Sequence, residues 1–358
     1  MRQVNVLGAG LSGLSAAINL AEAGFKVNVF DVRKDSGARF EGDLQGLENW
    51  TSEKDILEDL HEMNIKVNFH CKPFKTVLST DGKKLYETKF KRPMFYLVKR
   101  GTMEDSIDQG LKRQAIDKGV ELKYNARFEG KVDIIATGPK IGSRLFGIDR
   151  GIIFDTEMDD IAVSIVNDEA AYKGYSYLLV TNGYGCIATV LLDKFHLVNK
   201  CLEKTKEIIT KLFDLKIKNE KGVGGIGNFI YPSKLEENGS LLVGEAGGLQ
   251  EALWGFGMRY AISSGYIAAK NINEDGSYAE TIKERFSAQF RASIVNRFIW
   301  ETMPKALYFN WVEVKSKESL HKDATMALNK IYNLGHTYQK VLYPLALFWF
   351  RQKYKGIL

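Results

Sequence analysis

Cysteine is scarce in this chain. Cys71, Cys186 and Cys201 are the three among 358 residues, odd in number and without a Cys-x-x-Cys pair. That pattern argues against a disulfide scaffold, a zinc site or a redox dithiol, and predicts a reducing compartment and no metal. No apolar run approaches the roughly twenty residues that a bilayer-spanning helix needs, so no integral membrane segment is expected. The N-terminus runs directly into an apolar strand, which predicts no cleavable signal and a cytoplasmic protein. Charge is not concentrated either. The net +6 is spread along the chain, which predicts no nucleic-acid partner. The length allows two domains, or one large domain with an insertion, and 45% hydrophobic content is ordinary for a packed core.

What is present begins at Val4-Asn5-Val6-Leu7-Gly8-Ala9-Gly10-Leu11-Ser12-Gly13. The stretch reads as strand, glycine turn and helix, the opening of a dinucleotide-binding βαβ unit. Gly8 permits the turn, Gly10 clears space for a diphosphate, and Gly13 lets the helix pack on the strand. The diphosphate would sit over Leu11 and Ser12 at the helix N-terminus, where free N–H groups and the helix dipole favour negative charge. Ala17 and Gly24 continue the small-residue spacing. The next strand, Phe25–Phe30, ends at Asp31, placed to accept hydrogen bonds from a ribose. Val32 and Arg33 follow, and Arg33 and Lys34 weaken any exclusion of a 2′-phosphate. A second Gly-x-Gly-x-x-Gly at Gly222, Gly224 and Gly227 has neither a core strand before it nor a helix after it, and is expected to be a turn.

Further along, Arg39 lies in a loop from which it reaches phosphate or flavin, and residues 42–50 are expected to form a glycine-containing loop beside the ring system. A helix is expected over 56–65, a hairpin around Thr80-Asp81-Gly82-Lys83, a strand over 94–101 and a helix capped by Thr102 running to Lys118. Strands follow at 120–124 and 132–138. From Ile161 the pattern changes to antiparallel strands at 161–166, 176–181 and 185–192, a helix at about 197–213 and a strand near 228–231. Strand 240–243 then leads into a glycine loop and a helix, Arg259–Asn271, whose small residues suit packing against something flat.

Four separated segments together resemble FAD-dependent oxidoreductases of the aromatic-hydroxylase fold, and among them the geranylgeranyl reductase family. They are the N-terminal fingerprint with Asp31, the segment Val98–Asp105 containing Arg100, the segment Ala136-Thr137-Gly138-Pro139 with Ser143 and Arg144, and the segment Gly244-Glu245-Ala246-Gly247-Gly248 with Gly255-Phe256-Gly257-Met258. Thr137 stands where the family carries an acid, Glu245 is one methylene longer than the usual acid, and Ala252 and Trp254 occupy a loop that usually holds proline and a small residue. The resemblance spans residues 1–270 and implies an α/β (α+β overall) fold. In it, a Rossmann-like FAD-binding domain (1–72, 98–155 and 238–290) carries an inserted antiparallel-sheet substrate domain (73–97 and 156–237), with a helical C-terminal region at 291–358. It implies FAD as cofactor, with Arg100 contacting the flavin nucleotide and Glu245 the ribityl chain or diphosphate.

Gly174–Leu179 is similar to the aromatic segment of the prenyl reductases, which marks Tyr175 and Tyr177, with Trp254, as catalytic-pocket candidates. Tyr175, Tyr177 and His196 are candidate proton donors. Leu178, Leu179, Ile187, Val190, Leu253, Trp254 and Phe256 are candidates to line an apolar tunnel. The implied reaction is saturation of double bonds in a geranylgeranyl or polyprenyl chain on a membrane lipid or quinone, with NAD(P)H or ferredoxin as electron donor. Two other readings stay open: a flavin monooxygenase of a small aromatic or hydrophobic substrate, and a non-catalytic flavin-bound protein at a membrane. The segment 341–350, apolar and aromatic with Arg351 and Lys353 behind it, suits either a membrane interface or a helix packed on the core. The first of these adds a peripheral position on the cytoplasmic membrane face.

Overall fold

The computed structural model describes residues 2–139, 147–227 and 234–354. Its first half runs β1 (Gln3–Leu7), α1 (Leu11–Glu22), β2 (Lys26–Phe30), β3 (Glu41–Glu48), α2 (Ile56–Glu62), β4 (Cys71–Phe74), β5 (Thr76–Thr80), β6 (Leu85–Lys89), β7 (Phe95–Gly101), α3 (Ile107–Asp117), β8 (Glu121–Lys123) and β9 (Ile134–Ile135). The second runs β10 (Gly147–Asp155), β11 (Ile161–Ile165), β12 (Tyr175–Thr181), β13 (Tyr184–Leu191), α4 (Val198–Leu212), β14 (Lys218–Gly227), β15 (Glu236–Glu237), β16 (Ser240–Leu242), α5 (Met258–Glu274), α6 (Tyr278–Thr302), α7 (Lys305–Ser319), α8 (Ala324–Tyr332) and α9 (Thr337–Lys353).

Three sheets organise these elements. A six-stranded sheet, ordered β15-β16-β9-β1-β2-β8, is parallel except at its β15 edge. Val4 and Val6 of β1 stand beside Val27 and Val29 of β2, all four buried, each worth roughly 1.5–3 kcal/mol. Helix α1 is buried from Leu11 through Leu20 because sheet and α5 enclose it. It stops at Gly24 (φ +85°), where the Phe25 and Gly24 amides donate to the Leu20 and Ala21 carbonyls, a Schellman ending. Gly24 therefore serves termination and not the packed face, since its Cβ position is open space.

A seven-stranded sheet, ordered β14-β10-β13-β12-β11-β5-β6, is antiparallel except between β11 and β5, and α4 covers one of its faces. A small antiparallel sheet, β3-β7-β4, stands with them. Strand β10 pairs with β13 and β14, so part of the segment 98–155 lies in the seven-stranded sheet. Helix α9 packs on α6, burying Ala346 and Phe350 against Ile294 and Val295 while Val341 and Phe348 face outward.

Several expected elements fall differently. The second glycine motif is strand β14, because an in-register partner, β10, supplies the backbone bonds that its polar sequence does not advertise. Residues 41–48 are a strand for the same reason, paired with β7. The helix expected from Thr102 begins at Ile107. Ser106 is its cap, accepting from the Gln109 amide, while Asp105 turns back to Lys99. The strand near 228–231, and Ser143 and Arg144, lie outside the described residues.

Candidate functional site

One cavity of about 1760 Å³ runs from the C-terminal edge of β1 to the C-terminal helices. Its two ends differ in make-up: a cradle of backbone and polar groups, and a chamber of aromatic rings.

The cradle starts at Gly8 (φ +102°), whose amide donates to the Phe30 carbonyl at 2.7 Å. A Cβ there would lie 2.2 Å from the Ala136 carbonyl oxygen, and one at Gly13 would lie 2.0 Å from the Gly8 carbonyl oxygen. Both glycines are demanded by close backbone approach. Gly10 differs: a Cβ would meet nothing within 4 Å, so the space above it is open to the cavity. Gly10 caps α1 without a side-chain bond, and the helical ladder begins with Leu14 donating to Gly10. The Leu11, Ser12 and Gly13 amides therefore lack intrahelical partners, and Leu11 and Ser12 stand at the cavity wall. Asp31 accepts from the Ala9 amide through Oδ2 and the Arg33 amide through Oδ1, both at 2.8 Å, which fixes the carboxylate at the rim beside exposed Val32 and Arg33.

Also lining the cavity, Arg39 and Glu245, from segments far apart in sequence, form an ion pair at 2.7 Å. Thr137 and Gly138 line the cavity beside them. Arg100 is buried, with Nε and Nη2 on the two oxygens of Asp108 at 2.8 and 3.1 Å, Nη1 on Gln45 at 3.0 Å, and the Phe40 ring 4.0 Å from its guanidinium. Gly255, Phe256, Gly257 and Met258 bring a second uncapped helix N-terminus, that of α5, to the same wall. Gly244 and Gly13 stand behind the wall. Gly244 (φ +58°) donates to Ser264 Oγ at 2.9 Å, and a Cβ on it would lie 2.8 Å from Ser12 Oγ. The small face of α5 meets α1 and not a flat ligand: a Cβ at Gly265 would lie 2.2 Å from the Ser12 carbonyl oxygen. Open space at Gly10, free helix-start amides and a fixed rim carboxylate together suit a dinucleotide.

The chamber is built on β12, whose alternation turns Tyr175, Tyr177 and Leu179 to the cavity. Leu178 and Ile187 are on the other face, in the core with Leu202 and Ile209 of α4, so they are not tunnel residues. Val190, Leu253, Trp254 and Phe256 do line the space. Tyr175 donates to the Trp254 carbonyl at 2.7 Å, and the rings continue Tyr175–Trp254–Trp300–Tyr308 at 5.0, 4.6 and 5.0 Å between centroids. Burial pushes the Tyr175 and Tyr177 phenols up, which makes both weaker acids. His196 is exposed on the short turn Phe195–Leu197 and is not on the cavity wall.

Two carboxyl groups escaped sequence reading. Glu251 is buried and accepts from the Leu253 and Trp254 amides at 2.7 and 2.6 Å, holding the Trp254 loop; burial pushes it up to about 7. Asp149 lines the cavity from β10, an element with no sequence signal of its own. Trp300, Tyr308 and Tyr332 were also missed as cavity residues.

Residues 6–43 match the model of the NAD(P)-binding Rossmann-like domain. A comparison with curated protein sequences gives no match. Among solved structures the chain is similar to a geranylgeranyl bacteriochlorophyll reductase-like protein from Thermoplasma acidophilum, with TM-score 0.71, 17% identity and coverage of 96% of this chain and 100% of that one. It is similar to the flavin-dependent brominase Bmp2, with TM-score 0.67, 15% identity and coverage of 98% and 99%. It is also similar to the p-nitrophenol 4-monooxygenase PnpA from Pseudomonas putida, with TM-score 0.58, 12% identity and coverage of 93% and 100%. The chain thus has the fold of the flavin-dependent oxidoreductases, a Rossmann-like α/β unit carrying a large antiparallel sheet and a helical C-terminal region. Among the described residues no helix is long and apolar enough to cross a membrane.

Proposed function

We infer that this protein is an FAD-dependent reductase that saturates double bonds of a geranylgeranyl or polyprenyl chain on a membrane lipid or quinone. The observation that carries the reading is the cavity itself. At about 1760 Å³ it exceeds the roughly 300–1,000 Å³ of ordinary small-ligand sites, and it joins a dinucleotide cradle to an apolar chamber. In this reading Asp31 holds the adenosine ribose, the α1 N-terminus with Gly10 holds the diphosphate, and the Arg39–Glu245 pair, Arg100 and the α5 N-terminus border the rest of the cofactor. Reduced flavin supplies the hydride to an alkene carbon. The aromatic wall of Tyr175, Trp254, Trp300 and Tyr308 takes the isoprenoid chain and excludes water. NAD(P)H or ferredoxin is the electron source.

Access supports a lipid substrate. Leu307, Trp311 and Tyr338 both line the cavity and stand more than a third exposed, at 53%, 38% and 47%. Exposed Val314, Val341, Leu345 and Phe348 extend that apolar surface, with Lys315 and Lys340 nearby in the chain. The protein then works peripherally on the cytoplasmic membrane face, with this mouth toward the bilayer.

The test is anaerobic. FAD is identified in the purified protein by its spectrum and reduced chemically, geranylgeranyl lipids are added, and flavin reoxidation is followed with product mass. Reoxidation with a gain of two hydrogens per double bond is expected. No reoxidation by any prenyl lipid, with rapid oxygen-dependent turnover of a small aromatic, would replace this reading by the monooxygenase, the chemistry named for the P. putida structure of the same fold. A protein that binds flavin and lipid without turnover would be the non-catalytic alternative.

A further inference from the structure

A carboxyl group lies between cradle and chamber with no role in the account so far. Asp149 of β10 has Gly225 of β14 as its register partner on one side and Val190 of β13 on the other, and Val190 in turn pairs with Tyr175 of β12. Residues in register across strands ~4.8 Å apart share a face. The row Gly225–Asp149–Val190–Tyr175 accordingly lines the cavity throughout. Gly225 gives the carboxyl its room, since a Cβ there would come 2.9 Å from Asp149 Oδ1.

The groups facing Asp149 are Asp43 of β3, Arg39 before it, Tyr175 and Tyr177 of β12 and Cys186 of β13; β14 contributes the Gly225 amide, which donates to the Asp149 carboxylate, and further along the same face Val223 and Lys221, the latter paired with Glu41. Burial first, and the neighbouring Asp43 second, push the Asp149 carboxyl up to about 6, against the pull of Arg39. Of the other carboxyls on the cavity wall, Asp35, Asp108 and Glu245 are in ion pairs, Asp31 is fixed by the Ala9 and Arg33 amides and Glu129 is exposed; Asp149 also accepts from backbone amides, its own and that of Gly225, and burial with Asp43 beside it outweighs them. The Tyr175 proton is given to the Trp254 carbonyl.

We propose that Asp149 is the general acid of this site, delivering the proton that accompanies hydride when a substrate double bond is saturated. The assignment rests on the reductase reading above. One alkene carbon takes a hydride from a two-electron-reduced flavin and its neighbour takes the proton from the Asp149 carboxyl. The C=C π bond, the N–H bond of the reduced flavin and the carboxyl O–H bond break as two C–H bonds form, leaving oxidised flavin and an Asp149 carboxylate that regains its proton from solvent.

The experiment compares Asp149→Asn and Asp149→Glu with the wild type, each first checked for equal flavin content. A readout without turnover comes from the protein labelled with ¹³C at aspartate carboxyls: a resonance titrating near pH 6 is expected in the wild type and absent in Asp149→Asn. In turnover, wild-type kcat/KM for a geranylgeranyl lipid is expected to fall as pH rises through about 6. Asp149→Asn should be ~100-fold slower or worse and lack that limb, because general acids contribute roughly 10²–10⁴-fold. Asp149→Glu should recover part of the rate. An Asp149→Asn enzyme within threefold of wild type, with the limb unchanged, overturns the assignment while leaving the reductase intact. A wild type inert toward every prenyl lipid overturns the reductase reading, and the role of Asp149 with it.

Discussion

The cradle and the chamber share one cavity and are made of different material. The cradle is backbone: Gly8 and Gly13 are crowded by carbonyl oxygens at 2.2 and 2.0 Å from a notional Cβ, and its polar groups are main-chain amides and a few fixed charges. The chamber is side chain. Its walls are rings from β12, the 250–256 loop, α6 and α7, touching edge to face across long sequence separations. Backbone crowded as at Gly8 and Gly13 tolerates no substitution but is indifferent to what lies beyond it. Side-chain walls can be remodelled one ring at a time. A cofactor shared by many reactions suits the first construction, and a substrate particular to one suits the second.

That contrast can be broken or sharpened by mutation, beginning with the largest effect. Asp108→Ala strands the buried Arg100 guanidinium, and a loss of about 3–5 kcal/mol in unfolding free energy is expected in denaturant melts, with flavin lost on purification. Gly13→Ala drives a methyl into the Gly8 carbonyl and should cost about 3 kcal/mol. Gly10→Ala, with open space around it, should leave the flavin-free protein as stable as wild type and weaken only flavin retention, read by absorbance. Equal destabilisation by both glycine variants would erase the distinction between packing and ligand space in the cradle.

Glu251 tests the joint between the two regions. Its carboxyl is pushed up to about 7 in the fold, above its ordinary 4.5, so the unfolded chain gives up the proton first. The group's contribution is most favourable below pH 4.5 and is lost as pH rises toward 7, by about 3 kcal/mol in all. Glu251→Gln should flatten that part of the stability–pH profile, measured by denaturant unfolding at pH 5 and pH 8. In the chamber, Leu179→Trp fills space on the cavity wall and should lower kcat/KM for a geranylgeranyl lipid about tenfold, roughly 1.4 kcal/mol, with flavin content unchanged. The smallest change in stability, within about 0.5 kcal/mol, is expected for Phe348→Ser on the outer face of α9, with reduced sedimentation on anionic lipid vesicles as its signature.

Legibility in the sequence followed the same division. The fingerprint from Val4 to Asp31 could be read because each of its requirements is met within one βαβ unit, where residue type and spacing suffice. The same local rules misjudged Gly222–Gly227, whose strand exists through pairing with β10, and residues 42–50, whose strand exists through β7. They also placed Leu178 and Ile187 in the tunnel, because the hydrophobicity of a buried strand is the same on both faces and only the packing of α4 tells them apart.

By itself, then, the sequence determined the glycine turn of the βαβ unit, the acid at its rim and the glycine loops on the cavity wall, since steric demands on backbone act over a few residues. Tertiary structure alone decided that Arg39 meets Glu245, that Trp254 leans on Tyr175 and Trp300, and that Asp149 faces the cavity in line with Tyr175. Those relations depend on strand register and helix packing, which sum weak interactions over the whole chain and leave no mark at any single position.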